Sequence, residues 1–198
     1  MRRRTLIFSV ASALGAAVGT LALGAWRSGR MAPEDPYRPL PLDRMNWQLT
    51  DHAGRSVAAA DWLGRPTMVF FGFTWCPDVC PTTLSDISLW LEELGPEADQ
   101  LLVALITVDP ARDTPAALAD YLSSFDPRIR GLTGSQSEIA RAAEGFRVRY
   151  ERVPQDGSYT MNHTAGVFLF DRGGRFVSVI DFHEDRRYAL PKLRRILN

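Results

Sequence analysis

The sequence predicts an α/β sandwich, in which a central mixed β-sheet carries helices on both faces. Two buried strands, each followed by an amphipathic helix, indicate parallel β-α units in the first half of the domain. A glycine-rich turn between two later apolar strands indicates that the sheet ends in an antiparallel hairpin. The chain has 198 residues, and this pattern occupies residues 43–198.

The first β-α unit starts at the apolar run TMVFFGF, residues 67–73. This run follows Gly-Arg-Pro and contains residues that favour strands, so it predicts a buried central strand. A helix should follow, because apolar residues recur at spacings of three and four on one face. These residues are Leu84, Ile87, Leu91 and Leu94. Gly95 and Pro96 end the predicted helix.

The second β-α unit combines the apolar run LLVALITVD with the helical segment DTPAALADYLSSF. Thr114 is the expected N-cap and Pro115 the first helical residue. A third helix is predicted across SQSEIARAAEGF. An earlier strand pair is predicted in WQLTDHAGRSVAAADW, with its turn at residues 51–54.

The last part of the domain contains the strands AGVFLFD and RFVSVID on either side of Arg-Gly-Gly. A closing helix is predicted from about Asp185 to Leu197, and Pro191 is expected to delay its start. Parallel units followed by a hairpin and a last helix fit a thioredoxin-like α/β sandwich. Ligand sites of open α/β sheets lie beyond the carboxyl ends of the strands.

The first 26 residues predict an N-terminal transmembrane helix. Three arginines precede an uncharged, apolar stretch from Thr5 to Trp26, long enough to span a hydrocarbon core of about 30 Å. The positive-inside rule places these arginines in the cytoplasm and the C-terminal domain on the periplasmic side of the inner membrane. A cleaved signal peptide is the alternative, and it also exports the domain.

A proline-rich linker is predicted at residues 27–42, between the anchor and the domain. The charges balance, with 23 Lys and Arg against 23 Asp and Glu, and Lys192 is the sole lysine. A basic surface for nucleic acid is therefore excluded.

Both cysteines lie in one loop, FFGFTWCPDVCPTTL, at the end of the first central strand. Cys76 precedes the helix and Cys80 lies in its first turn, where unpaired N–H groups and the helix dipole favour thiolate over thiol. The residues alone leave three interpretations open: a structural disulfide, a redox couple, or two ligands of a soft metal. Because a disulfide here closes a very short loop, its stabilisation is small, which favours the latter two.

Three histidines are the candidates for a third metal ligand. His52 lies in a predicted turn and His183 among charged residues, so both are expected at the surface. His163 directly precedes the strand expected to run beside the first central strand, which brings its loop near the cysteines. Trp75, next to Cys76, is expected to shield the site.

Three segments together resemble the signature of the Sco (SenC) family of copper-binding proteins. They are FFGFTWCPDVCPTTL, ITVDPARDTP and NHTAGVFLFDRGG. The resemblance implies a membrane-tethered copper chaperone that supports assembly of the dinuclear copper centre of cytochrome c oxidase. Its partners would be an upstream copper donor and the copper-receiving oxidase subunit. It implies that Cys76, Cys80 and His163 bind one copper ion, with Asp78 and Asp109 as nearby polar partners.

Ligand chemistry agrees with copper, because two thiolates suit Cu(I) and one imidazole lets the site accept Cu(II). Zinc accepts the same ligand types, so these alone do not exclude it. Many relatives carry Asp-His-Ser where this chain has Asn162, His163 and Thr164. The alternative function is that of an enzyme, a thiol-disulfide oxidoreductase that reduces the cysteines of the copper-receiving client. The three-residue spacing of the cysteines and His163 favour the chaperone.

Overall fold

The computed structural model describes residue 24, residues 35–155 and residues 157–198. The predicted membrane anchor, apart from residue 24, and residues 27–34 of the predicted linker lie outside these ranges. Within the described ranges, no helix is long and apolar enough to cross a membrane. The folded unit discussed below spans Arg38–Asn198.

The strands of this unit form a seven-stranded sheet and a separate two-stranded sheet. In chain order they are β1 (Gln48–Asp51), β2 (Ser56–Ala58), β3 (Thr67–Gly72), β4 (Leu102–Thr107), β5 (Ile129–Thr133), β6 (Tyr150–Gln155), β7 (Ser158–His163), β8 (Val167–Phe170) and β9 (Phe176–Ile180). The larger sheet has the order β2-β1-β5-β4-β3-β8-β9, and β6 pairs with β7.

The centre of the large sheet is parallel and its margins are antiparallel. Strands β3 and β4 run parallel from the pair Thr67–Leu102 to the pair Gly72–Thr107, and every residue of both strands is buried. Strand β5 continues the parallel arrangement beside β4, whereas β8 lies antiparallel to β3. The predicted mixed sheet and its two buried central strands are confirmed.

Four α-helices complete the described architecture: α1 (Val79–Leu94), α2 (Pro115–Leu122), α3 (Gln136–Phe146) and α4 (Arg186–Leu197). Helices α1 and α2 connect consecutive parallel strands, and right-handed crossovers place both on the same face of the sheet. The Phe146 ring at the end of α3 lies 5.2 Å from that of Phe71 in β3. The neighbouring residue Phe70 points to the opposite face, where α1 packs, so helices cover both faces as predicted.

The sequence did not predict β5 or the β6–β7 hairpin. Strand β5 has an exposed arginine and a glycine in its centre, so its apolar pattern is interrupted. The hairpin is polar and mostly exposed along β6, and Pro154 lies within that strand. Tertiary pairing, with Tyr150 opposite His163 at one end, stabilises these strands where their composition gives little signal.

The expected delay of the last helix at Pro191 was wrong, because α4 starts at Arg186 and contains the proline. The Asp185 side chain caps the helix by accepting a hydrogen bond from the Arg187 N–H at 2.9 Å. Buried residues on both sides of the proline, including Leu190 and Leu193, hold the helix against the sheet. These contacts offset the lost backbone hydrogen bond.

The domain begins before the first strand. Leu40 donates a backbone hydrogen bond to Gly145 at 2.9 Å, and Leu42 donates one to Gly174 at 2.8 Å. Leu42 is fully buried. These residues lie in the C-terminal part of the predicted linker, and here they pack on the domain.

Candidate metal and redox site

The cysteine loop leaves the carboxyl end of β3 and turns directly into α1. Cys76 is half-buried in the loop, and Cys80 is fully buried in the first turn of the helix. The Cys80 backbone N–H donates to the Cys76 sulfur at 3.3 Å, and both thiols are free. The predicted position of this pair at a strand end and helix start is confirmed.

Gly72 at the end of β3 makes room for the buried thiol. A Cβ atom at this position would lie 3.0 Å from the Cys80 sulfur and 2.8 Å from a ring carbon of Phe70. Both distances are shorter than normal packing allows. The Cys80 sulfur and the Phe70 ring thus occupy the space that a side chain at position 72 would need, which favours glycine there.

The pKa values of the two cysteines are shifted in opposite directions. A hydrogen bond from the Cys80 thiol lowers the pKa of Cys76 to about 4, against the opposing effect of burial, with further help from His163 and the N–H groups of Asp78 and Cys80. The same thiol–thiolate bond and burial raise the pKa of Cys80. Cys76 is therefore a thiolate and Cys80 a thiol at neutral pH. The sequence-based expectation that the helix start favours both thiolates was wrong for Cys80, because the pair shares one proton.

His163 reaches the cysteines from the end of β7. Its Nε2 atom lies 3.6 Å from the Cys80 sulfur. Its Nδ1 atom lies 3.0 Å from the Thr164 carbonyl oxygen and donates to it, because that oxygen only accepts, and Nε2 faces the Cys80 sulfur. The rings of Phe70 and Phe73 contact the imidazole edge-on, at centroid distances of 6.3 and 5.9 Å.

The other two histidines lie elsewhere. His183 is exposed, as predicted, and its Nδ1 atom lies 3.7 Å from a carboxylate oxygen of Asp86. His52 is not simply solvated, because its Nδ1 accepts a hydrogen bond from the Gly131 N–H at 2.9 Å. This bond fastens the β1–β2 turn to β5.

The two aspartates expected near the site have different environments. Asp78 is exposed at the N-cap position of α1, where its side chain makes no capping hydrogen bond, although its backbone N–H contacts the Cys76 sulfur. Asp109 is buried and its carboxylate pairs with Arg112 and accepts the Tyr159 hydroxyl at 3.0 Å. Asp109 therefore holds neighbouring side chains rather than a cysteine.

Sequence reasoning missed Asp113, which anchors the cysteine loop. Its fully buried carboxylate accepts hydrogen bonds from the Thr74 N–H at 3.1 Å, the Thr74 hydroxyl at 2.6 Å and the Thr107 hydroxyl at 2.5 Å. Burial raises the pKa of this carboxyl group, which the three hydrogen bonds partly oppose. The sequence signal that could have indicated this role is the presence of a second aspartate, Asp113, four residues after Asp109 in the same turn.

Trp75 does not shield the site as expected. Its side chain is 67% exposed, and the guanidinium carbon of Arg112 lies 5.3 Å from its ring centroid. An open cleft of about 740 Å³ is lined in part by Asn162, His163 and Thr164, but by neither cysteine. Of the two sulfurs, only that of Cys76 is partly exposed.

The side chains do not form a preassembled cation site. Within residues 35–155 and 157–198 and at residue 24, no group of three or more His, Cys, Asp or Glu residues is arranged to hold a metal ion. The available donors, two sulfurs and one imidazole nitrogen, nevertheless have the softness that copper prefers.

The family assignment follows from comparison with known proteins. The sequence model of the SCO1/SenC family matches residues 39–198. The chain belongs to the SCO1/SenC family. The human mitochondrial SCO2 homologue is 34% identical over 188 residues, which cover 89% of this chain and 68% of that protein. This confirms the resemblance found in the three sequence segments.

Solved Sco structures have the same thioredoxin-like fold. Copper-bound ScoI of Bradyrhizobium japonicum is 48% identical, with a TM-score of 0.71 over 76% of this chain and 96% of that one. Copper-bound Sco1 of yeast is 34% identical, with a TM-score of 0.71 over 81% of this chain and 88% of that one. The predicted Sco fold is confirmed by these similarities.

Proposed function

We propose that this Sco protein is a copper chaperone that binds one copper ion through Cys76, Cys80 and His163. The main support is the distance of 3.6 Å between the Cys80 sulfur and Nε2 of His163, two residues on separate elements. Copper is the cargo of the site. Copper in the similar ScoI and Sco1 structures supports the same ligand chemistry for this chain.

Binding requires a change of protonation at the site. Cys80 has to lose its proton, since the thiolate is the metal ligand. The half-buried Cys76 thiolate is the first donor that an incoming ion meets, and Cys80 and His163 complete the site behind it.

The family and the N-terminal sequence support a proposed location and proposed partners. The Sco family is linked to cytochrome c oxidase assembly, which favours the copper-receiving oxidase subunit as the client and delivery of copper to its dinuclear centre as the task. An upstream donor supplies the ion. The stretch from Thr5 to Trp26 anchors the protein in the inner membrane as a single span, and the linker that follows, up to residue 37, joins it to the domain on the periplasmic side.

A second function, reduction of a client disulfide, is favoured by the unequal cysteines. The accessible Cys76 thiolate attacks the client disulfide, forms a mixed disulfide and releases one client thiolate. Cys80 then loses its proton and attacks Cys76, which releases the second client thiolate. The two electrons gained by the client come from the sulfurs of Cys76 and Cys80, which are oxidised to a Cys76–Cys80 disulfide, so the protein has to be reduced again after each turnover.

Anaerobic copper titration tests the chaperone function. The reduced full-length protein is titrated in mild detergent with Cu(I) and with Cu(II), each against a competing chelator, and the thiolate-to-copper absorption is recorded. His163→Ala is compared with His183→Ala, which removes an exposed histidine that lies beside Asp86 and not beside a cysteine. We expect one copper per chain and at least about tenfold weaker Cu(II) binding for His163→Ala alone. Absence of competitive copper binding, with rapid reduction of a partner disulfide, would instead establish the reductase.

A further inference from the structure

A cluster of side chains fastens the β6–β7 hairpin to the end of β4. The Tyr159 hydroxyl donates to Asp109 Oδ1 at 3.0 Å, and the Arg112 guanidinium donates to the Tyr159 carbonyl oxygen at 3.1 Å. Arg112 also pairs with Asp109. We propose that this clasp, formed by Asp109, Arg112 and Tyr159, positions His163 and thereby sets the affinity of the site for Cu(II). The proposal rests on the copper function proposed above.

The Tyr159 ring is held on both faces. The guanidinium carbon of Arg112 lies 3.8 Å from its centroid and that of Arg152 lies 3.4 Å from it. Two groups this close to one centroid cannot share a face, so the ring is sandwiched between them. Its hydroxyl donates to Asp109, so the Tyr159 side chain is held at its tip as well as on both faces of its ring.

The clasp reaches His163 through the strand that carries both residues. Tyr159 and His163 lie four positions apart in β7, so their side chains project on the same side of the strand. The hairpin forms its own two-stranded sheet, separate from the seven-stranded one, and β6 is largely exposed. Met161, between Tyr159 and His163 on the same side of β7, packs against the core, so contacts along this side of the strand determine how the hairpin lies on the domain. Releasing Tyr159 would let the hairpin tilt, and this tilt would displace the His163 side chain.

The two copper oxidation states depend on His163 to different degrees. Two thiolates from Cys76 and Cys80 are sufficient ligands for Cu(I), whereas Cu(II) requires the imidazole as well. A misplaced His163 therefore weakens Cu(II) binding and leaves Cu(I) binding almost unchanged. A merely structural role of the clasp would lower both affinities by the same factor.

The test compares Tyr159→Ala and Tyr159→Phe with a matched control in the full-length protein. The control is Tyr188→Ala, since Tyr188 is an exposed tyrosine on α4 that also has an arginine, Arg187, against its ring at 5.2 Å. We expect Tyr159→Ala to weaken Cu(II) binding about tenfold and Cu(I) binding less than about threefold, the range typical of residues that orient a ligand. Tyr159→Phe keeps the ring between the two guanidinium groups, so it should lose less Cu(II) affinity than Tyr159→Ala. Equal loss for both ions would overturn the proposal.

A double-mutant cycle shows whether the clasp acts through His163. Once His163→Ala has removed the imidazole, Tyr159→Ala should cause no further loss of Cu(II) affinity. A full additional loss in the double variant would contradict the positioning role.

Hydrogen exchange of the metal-free protein separates this proposal from the copper function. Tyr159→Ala should speed exchange of the β7 amides and shift the His163 ring resonances, and Tyr188→Ala should do neither. Unchanged exchange and resonances would refute the clasp even if the wild type binds copper. Failure of the wild type to bind copper, together with these changes, would refute the chaperone function and the Cu(II) role but leave the clasp as a device that positions His163.

Discussion

The carboxylate of Asp113 holds Thr74 by two hydrogen bonds, from its backbone N–H at 3.1 Å and from its hydroxyl at 2.6 Å. Thr74 lies two residues before Cys76, so a buried carboxylate at the start of α2 fixes the backbone that presents the reactive sulfur. Thr107, at the end of β4, donates to the same carboxylate at 2.5 Å. The cysteine loop is thus tied to the neighbouring central strand.

We expect Asp113→Asn to destabilise the domain. The amide nitrogen would face groups that donate hydrogen bonds, which leaves at least one buried group unsatisfied at a cost of about 1–3 kcal/mol. Urea unfolding of residues 35–198 measures the change in the free energy of unfolding. Asp120→Asn is the control, since Asp120 is exposed on α2. Equal stability of the two variants would show that Asp113 does not anchor the loop.

The low pKa of Cys76 predicts unusual alkylation behaviour. Its pKa of about 4 means that the thiolate is already fully formed at neutral pH. The rate of iodoacetamide labelling of Cys76 should therefore stay nearly constant between about pH 6 and pH 8 and fall only below about pH 5. Cys80, buried and with a raised pKa, should remain unlabelled in the folded protein. Peptide mass spectrometry measures both rates. A Cys76 rate that rises about tenfold per pH unit through pH 7 would contradict this assignment.

The central sheet and the cysteine site were predictable because their signals are local. The buried strands of the core are continuous apolar runs, and Cys76 and Cys80 follow the first of them directly. The predicted N-cap Thr114 accepts a hydrogen bond from the Ala117 N–H, as the sequence motif indicates.

The missed features depend on residues that are distant in sequence. His163 was expected in a loop, yet it ends a strand whose partner is polar and contains Pro154. Asp113, which the sequence did not single out, contacts the cysteine loop, whereas Asp109 bonds Arg112 and Tyr159. Both carboxylates follow β4 in one short turn, and the sequence does not indicate which of them points at Thr74.

A third prediction concerns the β1–β2 turn and its pH dependence. Burial alone would raise the pKa of Asp51, but hydrogen bonds from the Arg55 N–H at 2.9 Å, the Arg55 side chain at 2.8 Å and the Ala53 N–H at 3.0 Å hold this pKa below its usual value. Because its pKa is lower in the folded state, ionised Asp51 contributes stability above the unfolded pKa. That contribution is lost as the pH falls through the folded pKa.

Asp51→Asn should therefore lower the free energy of unfolding at pH 7 by about 1–3 kcal/mol. The difference from the wild type should shrink as the pH falls below the ordinary pKa of an aspartate, because the native carboxylate then becomes protonated. Urea unfolding of residues 35–198 across this range provides the measurement. Asp61→Asn serves as the control, because Asp61 is exposed and its carboxylate accepts an exposed hydrogen bond from the Ala58 N–H at 2.8 Å. A difference that does not vary with pH would mean that the charge of Asp51 does not stabilise the turn.

The last prediction concerns the space beside the buried thiol. In Gly72→Ala, the added methyl group would lie 3.0 Å from the Cys80 sulfur and 3.1 Å from a methyl carbon of Leu105, so the sulfur or the strand has to move. Overpacking of this kind costs about 1–3 kcal/mol, and we expect it to weaken Cu(I) binding because it displaces one of the two thiolate donors. Gly173→Ala, in the exposed β8–β9 turn, is the control, because its methyl group would meet side-chain atoms far from the thiols, of Asp171 at 3.2 Å and of Arg175 at 3.7 Å. Urea unfolding and Cu(I) competition titrations of both variants check the two effects, and unchanged Cu(I) affinity in Gly72→Ala would show that Cys80 tolerates displacement.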